Sequence, residues 1–121
     1  NTLSDRVEET AMAIKKTGCI IGVREGMLNT YIRLHDEQPD EVRALMKEHG
    51  FLKCEIFVKE LAGKTYLFQY NEVDTSKDND GIYKSPVYQQ WLKITGACQE
   101  PLPGEQFWQD LPQVYALNKN E

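Results

Sequence analysis

The chain has 121 residues, enough for one domain around one modest core. With 40 % hydrophobic and 27 % charged residues its composition is that of a folded globular protein, which argues against disorder. A formal net charge of −5 with no basic cluster to offset it repels phosphate backbones and acidic bilayers, and no apolar run approaches the ~20 residues that span a membrane, so neither nucleic acid nor membrane is an expected partner.

Residues 4–17 are expected to form a short helix, capped by Ser4 with Glu8 near the reciprocal position and with Val7, Ala11 and Ile14 on one face. Gly18 ends it, and the β-branched run at residues 19–23 is a predicted strand that Gly26 breaks. Leu28, Tyr31, Ile32 and His35 then recur with helical period. Pro39 interrupts that helix and restarts another at a first helical position, with Asp40 and Glu41 in its acidic first turn and Gly50 at its end. Val42, Leu45, Met46 and His49 form the second helical stripe. Residues 51–58 and 66–73 are predicted strands of a hairpin with a slightly long loop over residues 60–64. The polar stretch 74–84 is expected to be an exposed loop. Ser85-Pro86 caps and opens a helix to about Thr95, with Val87, Gln90, Trp91 and Ile94 on one face. A connector rich in Pro and Gly leads to Phe107-Trp108 and a last strand near residues 114–117.

Leaving the first helix aside, the order is β, α, β, β, α, β. This predicts an α+β, ferredoxin-like βαββαβ sandwich over residues 18–121, with residues 1–17 as a helical extension. Two helices on one sheet face leave the other bare, and a second copy of the sheet is the simplest cover, so a homodimer forming a dimeric α/β barrel is expected. Alternation places Leu52, Cys54, Ile56 and Val58 on one side of the second strand, which is expected to supply that apolar face.

Cys19, Cys54 and Cys98 have no metal-ligand spacing, and three cysteines cannot all pair; they are read as reduced thiols of a cytoplasmic protein. The chain opens at Asn1, which is also compatible with a removed signal peptide. No Gly-rich phosphate loop, HExxH or CxxC is present, so no motif calls for a cofactor or metal. The acidic run at residues 74–81 resembles a calcium loop but lacks its terminal glutamate. Asp36 and Glu37 follow His35, but adjacent helix residues diverge; they read as a solvated edge, with Asp36 raising the histidine's pKa.

Tyr31 and His35, four residues apart, are neighbours on one helix face. From spacing alone this pair reads more readily as a satisfied core histidine beside a packed tyrosine than as a catalytic group. Trp91 is equally suited to core packing and to stacking on a pyranose face. His49, at a helix end, is read as structural. Phe107 and Trp108 fit either a pocket wall or a dimer seam.

Five ordered segments resemble the L-rhamnose mutarotase family across about residues 19–117. They are the Tyr-x-x-x-His of Tyr31 to His35, the helix end Leu45 to Gly50, Leu67-Phe68 with Glu72, Val87 to Lys93 around Trp91, and Leu111 to Leu117. The chain departs from the family pattern in three places. Pro39-Asp40-Glu41-Val42 stands for Trp-Pro-Glu-Leu, Cys54 for a sugar-contacting tyrosine, and Leu92 for the second of two tryptophans. The resemblance implies a sugar mutarotase, an isomerase that exchanges the α- and β-anomers of L-rhamnose or a related deoxyhexose such as L-fucose, a reaction for which neither cofactor nor metal is expected. It implies His35 as the general acid/base and Tyr31, Trp91 and position 54 as substrate contacts. A cofactor-free monooxygenase and a non-catalytic binding protein are the alternatives on the same fold.

Overall fold

The computed structural model describes residues 13–118. Strand β1 (Ile14–Val23) runs through the middle of an antiparallel sheet. Helices α1 (Leu28–Asp36) and α2 (Asp40–Glu48) follow, divided by Pro39, which stands as the N-cap of α2. Strands β2 (Phe51–Leu61) and β3 (Lys64–Asp74) form a long hairpin. A 3₁₀ turn (Asp80–Lys84) leads into α3 (Pro86–Gly96), and two short strands, β4 (Gln99–Glu100) and β5 (Gln109–Leu111), end the sheet. The strand order is β2-β3-β1-β4, with β5 also pairing β1. Because β3 lies antiparallel between β1 and β2, those two run parallel and α1 and α2 make the crossover, which is the expected ferredoxin-like arrangement.

Several sequence expectations change in detail. Of the helix expected over residues 4–17, residues 1–12 lie outside the described ones, and Ile14 to Thr17 are strand, paired with Asp74 to Asn71 of β3. The ladder to β3 supplies hydrogen bonds that outweigh a weak helical period. The hairpin loop is a tight two-residue turn, since Leu61 pairs with Lys64. Ala62 (φ 51°) and Gly63 (φ 80°) both take the left-handed conformation that such a turn needs to match strand twist.

The stretch 74–84 is more than a loop. Ile82 in its 3₁₀ turn is 0 % exposed, a burial that contributes about 1.5–3 kcal/mol. Asn79 Nδ2 donates to the carbonyls of His49 and Asp74, and His49 Nδ1 donates to the Asp78 carbonyl at 2.6 Å. This loop packs over Gly50 (φ 97°), where a Cβ would meet Asp74 O at 2.7 Å. Finally, no strand forms over residues 114–117. Val114 is 94 % exposed, and the pairing expected there falls instead on β4 and β5.

The helices cover one sheet face. Ile21 and Val23 of β1 and Leu67 of β3 pack with Tyr31 of α1 and Cys98. A second cluster joins Val42 of α2, Ile82, and Tyr88 and Trp91 of α3. Ile56 packs against the first cluster, so by alternation Cys54 and Val58 also face the helices. The expectation that these three form the bare face is therefore corrected, and Leu52 is the extra residue of a bulge between Phe51 and Lys53. The bare face carries Ile20, Phe57, Leu61 and Phe68 instead, and Phe57 is 61 % exposed.

Candidate active site

Between the helices and the sheet lies a cavity of about 730 Å³, within the range of about 300–1,000 Å³ common for small-molecule sites. Its helix wall is built from Tyr31 and His35 of α1 and Tyr88 and Trp91 of α3. The four-residue spacing stacks Tyr31 and His35, with ring centroids 4.4 Å apart, and Trp91 meets the imidazole edge-on at 5.1 Å. His35 Nδ1 lies 2.9 Å from the Tyr31 carbonyl oxygen. A carbonyl can only accept, so the ring proton sits on Nδ1 and the neutral imidazole keeps its lone pair on Nε2.

Burial lowers the His35 pKa below the usual histidine value, outweighing the opposite pulls of the Tyr31 carbonyl and Asp36. Asp36 thus acts in the expected direction but does not decide the sign. Burial also pushes the Tyr31 phenol well above its ordinary range, so it stays an O–H donor near neutral pH. Gln99 Nε2 donates to its oxygen at 3.4 Å.

The sheet wall is a ladder of rows across β1, β3 and β2: Thr17–Asn71–Cys54, then Cys19–Gln69–Ile56, then Ile21–Leu67–Val58. Desolvation, with Glu55 adding to it, pushes the Cys54 thiol up to about 11, so it is a neutral thiol on the cavity surface. Asn71 is less settled. Its Oδ1 is shielded from solvent with no hydrogen-bond partner, which costs about 1–3 kcal/mol. Phe107, Trp108, Tyr83 and Asp110 also line the cavity.

A sequence model described as L-rhamnose mutarotase matches residues 16–117. The chain belongs to the L-rhamnose mutarotase family. It is 30 % identical over 90 residues to the L-rhamnose mutarotase of Enterococcus faecalis, covering 74 % of this chain and 84 % of that protein. With the L-rhamnose mutarotase of Listeria monocytogenes the identity is 27 % over 105 residues, covering 86 % and 99 %. Among solved structures, the L-rhamnose mutarotase of Formosa agariphila superposes with a TM-score of 0.62 at 17 % identity, covering 86 % of this chain and 99 % of that one. A putative antibiotic biosynthesis monooxygenase from Bordetella bronchiseptica does so at 0.60 and 18 %, covering 85 % and 99 %. These two superpositions speak to the fold, which the isomerases of the mutarotase family share with proteins of other kinds.

Within this mutarotase-family chain, the structure brings all four of the expected site residues, His35, Tyr31, Trp91 and Cys54, to one cavity. Phe107 and Trp108, left open between pocket and seam, line the cavity, and so does Leu92. His49 does not; it fastens the 74–81 loop instead. Sequence reasoning missed Thr17, Gln69, Asn71, Tyr83, Tyr88 and Gln99. For Gln69 and Asn71 a signal was present: two amides alternate with Phe68 and Tyr70, on the face that Leu67 commits to the core. Among the described residues no group of His, Cys, Asp and Glu could hold a metal, and no helix is long and apolar enough to cross a membrane.

Proposed function

We infer that the chain interconverts the α- and β-anomers of L-rhamnose or a related deoxyhexose such as L-fucose, with His35 as the general acid/base. The observation that carries this reading is the orientation of His35. Its Nδ1–H is held by the Tyr31 carbonyl at 2.9 Å, and that leaves Nε2 for proton traffic in a cavity lined by Tyr31 and Trp91. Nε2 takes the proton of the anomeric hydroxyl and delivers it to the ring oxygen as the bond from C1 to that oxygen breaks. The open-chain aldehyde turns about its C1–C2 bond, the hydroxyl oxygen gives its proton back to Nε2 as it adds to the opposite face of the carbonyl, and Nε2 returns the proton to O1. No atom is gained or lost, and one group titrating below neutrality serves both directions. Tyr31 donates to a sugar oxygen, and Trp91 offers an aromatic surface and an N–H.

The reading includes a homodimer closed over the bare sheet face, supported by Phe57 at 61 % and Leu61 at 46 % exposure on that side. It also includes a reducing, cytoplasmic setting, which the three free thiols favour. The deciding experiment is anomer exchange by saturation-transfer NMR on L-rhamnose and L-fucose, with sedimentation on the same sample. Exchange well above buffer from a dimer is expected. Buffer-level exchange of both sugars rejects the enzyme reading, and a monomer at micromolar concentration rejects the dimer.

A further inference from the structure

One polar group on the sheet wall has bonding that the protein does not complete. Asn71 sits mid-strand in β3, flanked by Thr17 of β1 and Cys54 of β2, and lines the cavity. Its amide oxygen is shielded from solvent and has no hydrogen-bond partner. Buried polar groups in folded proteins are nearly always paired, and asparagine is poorly suited to a strand interior. On the same face Leu67, Ile56 and Val58 show that an apolar side chain is accommodated. An unpaired amide at such a position calls for a partner from outside the chain.

The rest of the lining defines that partner. It contains no lysine or arginine but does contain the carboxylates Asp36 and Asp110, so a phosphate or carboxylate on the ligand would be repelled. Tyr31, Gln69 and Gln99 are neutral hydrogen-bonding groups, and Trp91 and Trp108 are aromatic surfaces. This combination suits an uncharged polyhydroxy ring. Cys54, directly across from Asn71, is small and leaves room beside the amide. The terminal amide torsion is soft and roughly two-fold, so rotation about it presents either the oxygen or the NH₂ to the cavity.

We propose that Asn71 is a specificity-determining residue that binds one ring hydroxyl of a neutral, unphosphorylated sugar, in the space left open beside Cys54. This deepens the mutarotase reading and rests on it for the ligand's being a sugar.

The test compares wild type with Asn71→Leu, which keeps the size and removes the polarity. Each is titrated with L-rhamnose, its monodeoxy analogues and L-rhamnose 1-phosphate by tryptophan fluorescence, with anomer exchange and thermal melting measured in parallel. Asn71→Leu is expected to melt at or above the wild-type temperature, because an unpaired buried group is removed. It should bind L-rhamnose about 5- to 10-fold more weakly, the loss of a single hydrogen bond. One deoxy analogue, disfavoured by wild type, should be bound by the variant as well as L-rhamnose itself. Equal sugar affinities in the two proteins overturn the proposal, as does a lower melting point with uniformly weakened binding. Tight binding of the 1-phosphate overturns the neutral class. If exchange is absent but the variant still loses the hydroxyl discrimination, the catalytic reading falls and the role of Asn71 stands. A wild type that binds no sugar overturns both.

Discussion

The two walls of the cavity differ in how they are held. On the helix wall the polar groups that matter are already bonded within the protein, His35 Nδ1 to the Tyr31 carbonyl and the Tyr31 hydroxyl oxygen to the Gln99 amide. On the sheet wall Cys54 and Asn71 face the cavity without such anchoring, and the Asn71 oxygen has no partner. The helix wall carries His35, Tyr31 and Trp91, expected from the family resemblance, together with the Leu92 departure; the sheet wall carries the Cys54 departure. Chemistry that needs a defined tautomer belongs on the preorganised wall. Selectivity belongs on the wall whose side chains complete their bonding only with a ligand.

The largest expected effect lies on the helix wall. His35→Ala should lower catalysed anomer exchange by about 10²-fold or more with the fold intact by circular dichroism. His49→Gln, at the C-terminal end of α2 and outside the cavity lining, should leave exchange within about twofold, since substitutions away from the site seldom reach the chemistry. Equal losses in the two variants would place the chemistry elsewhere.

The pH response sharpens the same contrast. Burial lowers the His35 pKa in the folded state, so near and below the unfolded value of about 6.5 the unfolded chain binds more protons. His35 therefore contributes stability that is complete above about pH 6.5 and is lost as pH falls through its folded pKa. Exchange should fall over the same acid limb, as Nε2 becomes protonated. In His35→Gln both acid-side dependences should be weaker; an unchanged melting profile between pH 7 and 5 would show that another group governs it.

The smallest effect concerns the sheet wall. Cys54→Tyr restores a phenol at a position that faces the cavity, and it should lower the half-saturating L-rhamnose concentration by about fivefold, one neutral hydrogen bond. Unchanged or weaker saturation would mean that the new ring crowds Asn71 instead of joining it.

Much of this molecule was legible in the sequence where local chemistry and global packing agree. Pro39, Gly50 and Ser85-Pro86 mark helix boundaries that the structure keeps within a residue or two. The i, i+4 spacing of Tyr31 and His35 fixed their contact, but not what lies across from them. What was not legible depends on pairing at a distance. Ile14 to Thr17 read as helix until β3 supplies a ladder, and the last strand moved because β1 offers its free edge to residues 99–100 and 109–111. The assignment of Cys54, Ile56 and Val58 to the bare face failed for a related reason. Alternation says which residues share a side, but only helix packing says which side is covered.

The position of β1 in the sheet also constrains the order in which the chain can assemble. The β2–β3 hairpin is local, closed by Ala62-Gly63, and can form as soon as its own residues are available. β1 is made earlier than any other described strand, yet all its partners lie downstream: β3, β4 and β5. On the ribosome its Cys19-Ile20-Ile21 run waits unpaired until residues 64–74 have emerged, and its second edge waits until residues 99–111 have followed. The strand at the centre of the finished sheet is the first of the described strands to be synthesised and among the last secured.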